Sequence, residues 1–371
     1  MRLRRTGLTI LAALCWMPPA PARAQSSPAD LTELSFRELL DLDVAEHLVD
    51  EDEAGYGRLH IGYRYARAEF EGYRDGSHRV LLSQIQPPGG PFPIAQKKIV
   101  QEAHIVDVAY DLGEKLSFDV VVPYIRQSTD HVSLAPGFAA FTITSDGIGD
   151  VTLTSTYKVR LAERHLLRFT GGVSFPSGSI NEKGDTPSPG PRNPLPYTMQ
   201  LGSGTWDIPL GVGYDGLTES LSGLGVVRFG ARVNGRIRTG RNSASYRLGH
   251  RLVASAWLRT RPFSWIEPSL RVSAEFWGRI HGRDARLPGP PALPGFPTPV
   301  VDPSLFGGRK VLALGGLRLR WPEGLLGGFG DRFFQGQSIE AEAGRPVYQY
   351  LNGPQPEEDW RVQVAWRAAL F

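Results

Sequence analysis

The chain has 371 residues and a formal net charge of +3 at pH 7. This length allows one large domain or two ordinary ones, and the mild positive charge, without a Lys/Arg run, gives no electrostatic footprint for nucleic acid. Cys15 is the only cysteine and lies in a segment that we expect to be removed. The mature chain therefore excludes disulfides, thiol catalysis and cysteine metal sites.

The N-terminus has the layout of an export signal. Three arginines in the first five residues precede an apolar stretch at 8–17, and Ala22 to Ala24 forms an A-x-A cleavage site. We expect residues 1–24 to be a signal peptide, cleaved after Ala24. The apolar stretch is too short to span a membrane as a helix, and no later segment has 18 consecutive apolar residues. The protein is thus expected in the periplasm, outside the cell or in the outer membrane.

Residues 25–54 differ in kind from the rest of the chain. Leucines at 31, 34, 39 and 42 recur at near-helical spacing, and an acidic run follows. This pattern predicts a short periplasmic amphipathic helix and a solvated linker. The stretch 31–44 also resembles the segment that opens the plug domain of TonB-dependent receptors, although the chain is too short for a plug and their large barrel. A plain periplasmic helix is the simpler interpretation.

From residue 55 to the end, segments of alternating polar and apolar residues follow one another. Successive side chains of a strand point to opposite faces, so a period of two predicts β-strands. Each segment has about the 9–11 residues that a tilted transmembrane strand needs. The pattern predicts about twelve strands: Arg58–Phe70, Val100–Leu112, Leu116–Gln127, Gly149–Arg160, Leu166–Ser177, Thr205–Tyr214, Leu224–Arg238, Tyr246–Leu258, Trp265–Ile280, Lys310–Trp321, Ser338–Pro346 and Trp360–Phe371.

The segment Leu224–Arg238 is the most clearly two-faced. One face is basic and the other is apolar: Arg228, Arg232, Arg236 and Arg238 against Val227, Phe229, Val233 and Ile237. A soluble sandwich that buries the apolar face and a membrane barrel that turns it to lipid both produce this alternation. The alternation alone therefore does not decide between these two architectures.

The connectors favour the barrel. Short connectors at 113–115 and 161–165 alternate with long, Gly- and Pro-rich ones at 72–99, 128–148 and 181–204. Outer-membrane barrels have short periplasmic turns and long outer loops, and aromatic residues near the strand ends fit their interfacial girdles. We therefore predict an all-β fold, a transmembrane antiparallel up-and-down β-barrel of about 12 strands over residues 55–371.

Several phrases at strand–loop borders resemble one family. They are SDGIGDVTLTSTY at 145–157, FPSGSI at 175–180, LPYTMQLGSGTWD at 195–207 and GRPVYQYLNGPQPEEDWRV at 344–362. Their order is similar to that in the outer-membrane transporters grouped as the meta-pathway phenol-degradation family. The resemblance covers most of residues 55–371. It implies an outer-membrane barrel, and it does not specify a substrate.

Charged residues on the polar faces are the candidate lumen and selectivity residues. They either pair and brace the barrel or line a conducting path whose basic wall favours anions. The basic arc on Leu224–Arg238 and Tyr246–Leu258 is the best candidate for selectivity, because the inward faces of those strands carry no carboxylate. The selected residues are Arg228, Arg232, Arg236, Arg238, Arg247, Arg251, Arg271, Glu267, Glu275, Glu340 and Glu342.

An outer-membrane lipid hydrolase is the enzymatic alternative. It would place a Ser and a His together near one girdle. His250 projects from the apolar parity of its strand, whereas Ser255 has the opposite parity. The histidines show no spacing typical of a metal or acid–base site. We therefore expect no catalytic residue, no metal and no cofactor.

The proline-rich loops at 181–204 and 281–309 have three possible roles. They could form a constriction, bind a ligand at the mouth, or serve as protease-resistant cover, since proline reduces the entropy lost on ordering a loop. Taken together, the sequence predicts passive uptake of a small anionic or aromatic solute through a charged lumen, with a plugged structural or interaction barrel as the alternative. The expected partners are outer-membrane lipids, that solute and, given the terminal Phe371, the outer-membrane assembly machinery; nucleic acid is not expected.

Overall fold

The protein is a closed antiparallel β-barrel, seen in a computed structural model that describes residues 59–321 and 336–370. The predicted signal peptide, N-terminal helix and acidic linker lie outside the described residues, as does Phe371. The strands are β1 Leu59–Gly76, β2 His78–Val80, β3 Ile94–Leu112, β4 Leu116–Ser133, β5 Ala140–Ile148, β6 Thr152–Ala162, β7 His165–Ser174, β8 Lys183–Gly184, β9 Asn193–Pro194, β10 Asp207–Leu217, β11 Val226–Arg238, β12 Tyr246–Arg247, β13 Arg251–Arg261, β14 Ile266–Trp277, β15 His281–Gly282, β16 Gly308–Arg320 and β17 Gln337–Leu370.

Helical structure is minor. One helical turn, α1, covers Leu82–Ile85, and 3₁₀ turns occupy Tyr197–Met199, Pro299–Val301 and Pro303–Leu305. Within the described residues, no helix combines the length and apolar character needed to cross a bilayer.

The sheet closes because β17 pairs with both β16 and β1. The order around the barrel is β17-β16-β14-β13-β11-β10-β7-β6-β4-β3-β1, and β1 returns to β17 with Leu59 opposite Leu370. These eleven strands form the wall, while β2 and β5 pair with it at one end. Closure leaves no exposed sheet edge, which is the condition for a sheet inside lipid. The predicted antiparallel barrel is confirmed.

Strand β17 is long because it contains two antiparallel arms. Leu351 lies opposite Gly308 of β16 and also opposite Gly76 of β1, so the chain reverses near this residue. At the other end of the arms, the backbone N–H of Ala369 donates to the carbonyl of Gly336 at 3.1 Å. Counting the arms separately gives twelve crossings of the wall, in agreement with the twelve predicted segments.

The barrel has an apolar outside and a charged inside. On β14, Leu270 and Val272 are 66% and 52% exposed, whereas Arg271 and Glu275 of the other parity are buried. The apolar outer face recurs on the other strands, and most of them bury polar residues on the inner face. The inner face of β1, β3 and β4 is mixed, because it also carries a buried apolar cluster that includes Ala66, Ile105 and Ile125. Apolar surface of this extent, wrapped around a closed sheet, is typical of a wall that faces lipid.

Strands β3 and β4 are longer than predicted. They extend as a pair to Ile94 and Ser133, which lie opposite each other. The thickness of the membrane sets only the minimum length of a strand that crosses it. The alternation in the sequence therefore identifies the strand but does not show where its pairing with the next strand stops. The extension makes a ribbon that rises above the barrel wall at the end carrying the long connectors, which we call the outer end.

A break separates β5 from β6, and it was not predicted. Strand β4 pairs with β5 along its outer half and with β6 along its other half, so the predicted segment Gly149–Arg160 starts as a strand only at Thr152. Asp150 holds the break, because its carboxylate accepts the backbone N–H groups of Gly178 and Ser203 at 3.0 and 2.7 Å. Because a side chain bonds these backbone N–H groups, the chain can interrupt the hydrogen bonds between neighbouring strands at this turn.

The predicted strand Tyr246–Leu258 is also wrong at its start. Tyr246–Arg247 pairs with His281–Gly282 in a separate small sheet, and the wall strand begins at Arg251. The backbones cross closely between them: a Cβ on Gly249 would lie 1.9 Å from the carbonyl oxygen of Gly278. Arg247 therefore lies outside the barrel wall, which corrects its selection as a lumen residue.

The outer end is covered by a packed layer of connectors, which we call the outer cap. Its main core contains Tyr197, Tyr246, Leu287 and Phe306, all buried. The connectors therefore pack as an ordered layer, in which side chains from separate connectors share one apolar core. The outer cap comprises residues 77–93, 134–139, 175–206, 239–250 and 278–307.

Candidate channel interior and outer cap

The part of the basic arc that lies on β11 consists of four arginines on the inner surface of that strand, which we call the arginine arc. Arg228, Arg232, Arg236 and Arg238 are 5–9% exposed, and the alternate residue Val233 is 46% exposed on the outside. Strand parity therefore turns the four guanidinium groups into the barrel. Burying a guanidinium group away from water costs much free energy unless the group pairs with a carboxylate or another acceptor. The partners of these four arginines therefore determine what the arc can do.

The arc receives carboxylates from the neighbouring strand β10. Asp207 is opposite Arg238 in the ladder, and the two side chains form an ion pair. Asp215 lies 2.7 Å from Arg168 and 4.0 Å from Arg232. The expectation that the arc is free of carboxylates thus holds only for its own strand, because pairing across strands was not visible in the sequence.

Glycines on the inner face of β10 give the arc room along the wall. A Cβ on Gly213 would approach Arg232 Nε to 3.1 Å, and one on Gly211 would approach Asn234 Oδ1 to 2.6 Å. The long side chains of β11 therefore lie against a wall that has no side chains of its own at these positions.

A tight charge cluster occupies the outer part of the interior. Glu275 of β14 contacts Arg251 at 3.0 Å, Lys310 at 3.3 Å and Arg361 at 2.9 Å. Lys310 and Arg361 also pair with Glu358 of β17. Arg251, one of the selected arginines, therefore forms an ion pair with Glu275 on β14.

A second cluster lies towards the opposite end of the barrel. Glu340 contacts Arg259 at 2.6 Å and Arg318 at 2.8 Å. The neighbouring Glu342 accepts from Arg271 Nε at 3.0 Å. Each carboxylate accepts hydrogen bonds from guanidinium groups, and hydrogen bonds between two charged groups are stronger than those between neutral groups.

Glu267 closes this second cluster near the start of β14. It is completely buried and lies 2.9 Å from Arg320 Nε. The structure therefore brings all four selected glutamates into ion pairs with arginines. Along β14 and β17 the interior is braced by charge clusters, whereas the β10–β11 side combines glycines with the pairs of Arg238 with Asp207 and of Arg168 with Asp215.

The residues considered for lipid hydrolysis do not come together. Ser255 lies opposite Arg232 and Ser273 in the wall, on the inner parity. His250 precedes β13 at the surface, and its Nδ1 accepts the backbone N–H of Arg238 at 3.1 Å. Partial burial, together with the nearby Arg247 and Arg238, lowers the pKa of His250. Within the described residues, no group of three His, Cys, Asp or Glu side chains could hold a metal ion.

The outer cap is held by aromatic and polar contacts of its own. The Tyr197 ring meets Tyr246 and Phe306 edge-on, with centroids 4.8 and 5.3 Å apart. Its hydroxyl accepts the backbone N–H of Asp284 at 3.0 Å, and burial raises the pKa of that hydroxyl far above its usual range. Asp284 in turn pairs with Arg286 at 2.6 Å, which raises the pKa of Arg286. The outer cap therefore carries a satisfied polar layer beside its apolar core.

One solved structure with a similar fold is an outer-membrane channel. The chain is similar to an outer-membrane channel from Pseudomonas putida F1, with a TM-score of 0.53 and 14% identity over 84% of this chain and 95% of that one. This likeness supports the fold and does not by itself define the function.

Two further structures resemble the chain more weakly. They are a Pseudomonas aeruginosa FadL homologue, with a TM-score of 0.40 and 10% identity over 85% of this chain and 91% of that one, and the transport unit of the autotransporter AIDA-I from Escherichia coli, with a TM-score of 0.44 and 9% identity over 91% and 98%. TM-scores below 0.5 carry no argument for this chain. No family model matches the sequence, and no curated protein matches it.

Sequence reasoning missed the residues that complete the charge clusters. Lys310 and Glu358 are both buried at the outer cluster, and neither was selected. Lys310 has the inner parity of its predicted strand, a signal that could have identified it. Glu358 lies where the second arm of β17 begins, in a stretch whose prolines hid its strand character.

Proposed function

We propose that the protein is an outer-membrane channel for the passive passage of small solutes. The observation that carries this proposal is the inverted polarity of a closed barrel, with apolar side chains outside and charged side chains inside. A wall of this kind satisfies its backbone hydrogen bonds internally and is compatible with lipid on one face and water on the other.

The proposed path runs along the β10–β11 side of the interior. Asn234 and Arg232 lie against Gly211 and Gly213 there, and the separation of Arg232 from Asp215 is 4.0 Å. Arginine side chains are long and can shift without breaking the wall. A basic wall lowers the energy of a passing anion, so we propose a preference for anionic over cationic solutes.

We also propose the family of the protein and its route to the outer membrane. The phrases at 145–157 and 344–362 support membership of the meta-pathway phenol-degradation transporters, and the leucine spacing at 31–42 supports a short periplasmic helix before the barrel. Export with cleavage after Ala24 and insertion by the outer-membrane assembly machinery complete the proposed route to the membrane.

A plugged structural barrel is the second candidate. It is favoured by the burial of Glu267, Glu275 and Lys310, whose side chains have no contact with solvent in the two charge clusters. Twelve crossings lie between the filled interior of eight-stranded barrels and the open channel of sixteen-stranded ones. Such a barrel would have the same wall and no path for a solute through its interior.

Planar-bilayer recording with a salt gradient separates the two candidates. We expect the full mature chain to conduct, with a reversal potential that indicates anion preference. Arg236→Glu on the arc is expected to reduce that preference, whereas Arg241→Glu, an exposed residue of the outer cap, is expected to leave it unchanged. Strong cation preference of the unmodified chain would contradict the arginine path. Absence of conductance, together with absence of solute flux into proteoliposomes, would favour the plugged barrel.

A further inference from the structure

A cavity of about 600 Å³ lies between the outer cap and the outer ends of β3, β4 and β5. Four separate connectors contribute to its lining, around Pro93, Leu134, Pro194 and Pro297. Its volume falls within the range of about 300–1,000 Å³ that is usual for small-molecule sites. The cavity is distinct from the charged interior, because the selected lumen residues do not line it.

The cavity opens towards the outside and closes towards the barrel. Its rim includes Leu134 and Leu293, which are 58% and 41% exposed. Its floor includes His131, Ile143 and Val301, all nearly inaccessible to solvent. A molecule arriving from outside would thus move from an exposed apolar rim onto a buried apolar floor, which is the gradient that favours capture of an apolar ligand.

Three polar side chains of the lining, Arg286, Asn193 and Thr298, already bond to other parts of the protein. Arg286 is paired with Asp284, and the amide nitrogen of Asn193 donates to the carbonyl of Ser188 at 2.9 Å. The Thr298 hydroxyl accepts from Gln96 Nε2 at 2.7 Å. A charged ligand would lose its hydration and gain no dedicated counter-charge in this cavity.

The remaining lining suits a flat ring. His131 and Phe141 both line the cavity and stack on each other, with a centroid distance of 4.6 Å and an interplanar angle of 2°, so the ring sides and edges that they do not cover for each other meet the cavity. Proline rings from three connectors supply the other walls. Aromatic ligands gain offset-stacked or edge contacts from such rings beyond the burial of their area.

We propose that this cavity binds a small, uncharged aromatic molecule at the outer face. At about 30 Å³ for each water-sized unit, the space corresponds to a ligand of roughly 20 non-hydrogen atoms or fewer. The inference adds a binding site at the outer face to the proposed function and rests on that function only for onward passage, since the anion preference proposed above concerns the barrel interior. Binding itself is measured without transport.

The test is a titration of the mature protein in lipid nanodiscs with N-phenyl-1-naphthylamine, a neutral fluorescent aromatic probe. We expect saturable binding at one site per chain, after subtraction of the signal from empty nanodiscs. Ala135→Trp fills the cavity from its lining and is expected to weaken binding by about tenfold or more. Ala140→Trp is the matched control, because Ala140 lies on the opposite face of β5 from Phe141, and it should bind like the unmodified protein.

A second variant and a second probe keep the proposal open to refutation if Ala135→Trp does not fold. Phe141→Leu removes one ring and should weaken binding without filling the cavity. The sulfonated analogue 8-anilino-1-naphthalenesulfonate should bind more weakly than the neutral probe. Binding no greater than that of empty nanodiscs, equal binding by Ala135→Trp, or tighter binding of the sulfonate would overturn the proposal. Saturable binding without solute flux would instead leave the site in place and reject the channel.

Discussion

Glu275 in the barrel interior and Phe306 in the outer cap are both almost completely buried, yet their neighbours differ in kind. Glu275 is surrounded by three cations, whereas Phe306 packs on aromatic and aliphatic side chains. The barrel exposes apolar residues on its outer wall and buries most of its charged residues inside, where they pair with each other beside an apolar cluster from β1, β3 and β4. The outer cap has an ordinary apolar core. The comparison shows that one chain uses two packing chemistries, ion pairs around Glu275 in the barrel and apolar contacts around Phe306 in the outer cap.

The largest expected effect comes from removing a buried brace. Glu275→Ala leaves Arg251, Lys310 and Arg361 with one fewer carboxylate, and breaking a buried ion pair costs about 3–5 kcal/mol. We expect a clear fall in the temperature at which the detergent-extracted barrel loses its fast, folded migration on a denaturing gel. Glu219→Ala is the matched control, because Glu219 is an exposed partner of Arg164, and it should not change that temperature. Equal stability of both variants would contradict the bracing role.

A core substitution in the outer cap is expected to act locally. Leu287→Ala removes a buried side chain from the core that contains Phe306, at a cost of about 2–5 kcal/mol. We expect limited proteolysis to cut the proline-rich connector at 281–309 faster, while the heat-modifiable migration of the barrel stays the same. If Leu287→Ala instead lowered the unfolding temperature of the barrel as much as Glu275→Ala, the two regions would not be separate packing units.

A charge on the outer wall gives the next smaller effect. Leu270 is 66% exposed in the middle of β14, and an arginine facing the bilayer midplane costs about 2–4 kcal/mol. We expect Leu270→Arg to reduce the free energy of unfolding in lipid bilayers. Leu81→Arg, at a 70% exposed position of the outer cap, should have no such effect. A tolerated arginine at 270 would mean that this face does not contact lipid.

The sequence predicts the wall better than what fills it. Alternation and connector length are local signals, so the sequence alone assigns Val233 and Arg232 to opposite faces of their strand. The pairing of Asp207 with Arg238 depends on register between strands, which no single segment encodes.

The outer cap was the least predictable region. Its prolines indicated ordered loops, but the meeting of Tyr197 with Phe306 joins residues more than one hundred positions apart. The cavity likewise depends on four connectors at once. Arg247 shows the same limit on a smaller scale, since the close crossing of Gly249 and Gly278 moves it from the predicted wall into the outer cap.

The most direct test of the channel is a pair of neighbouring cysteines on β11. Cys15 lies in the expected signal peptide, so the mature chain offers a cysteine-free background. Arg232→Cys places a thiol inside the barrel, and Val233→Cys places one on the outer wall. Each variant is treated with a negatively charged, water-soluble thiol reagent while conductance is recorded in a planar bilayer. We predict that modification lowers the conductance of Arg232→Cys, and that Val233→Cys reacts only with a lipid-permeable maleimide. Reaction of Val233→Cys with the charged reagent, or an unchanged conductance after complete modification of Arg232→Cys, would contradict a solute path along the arginine arc.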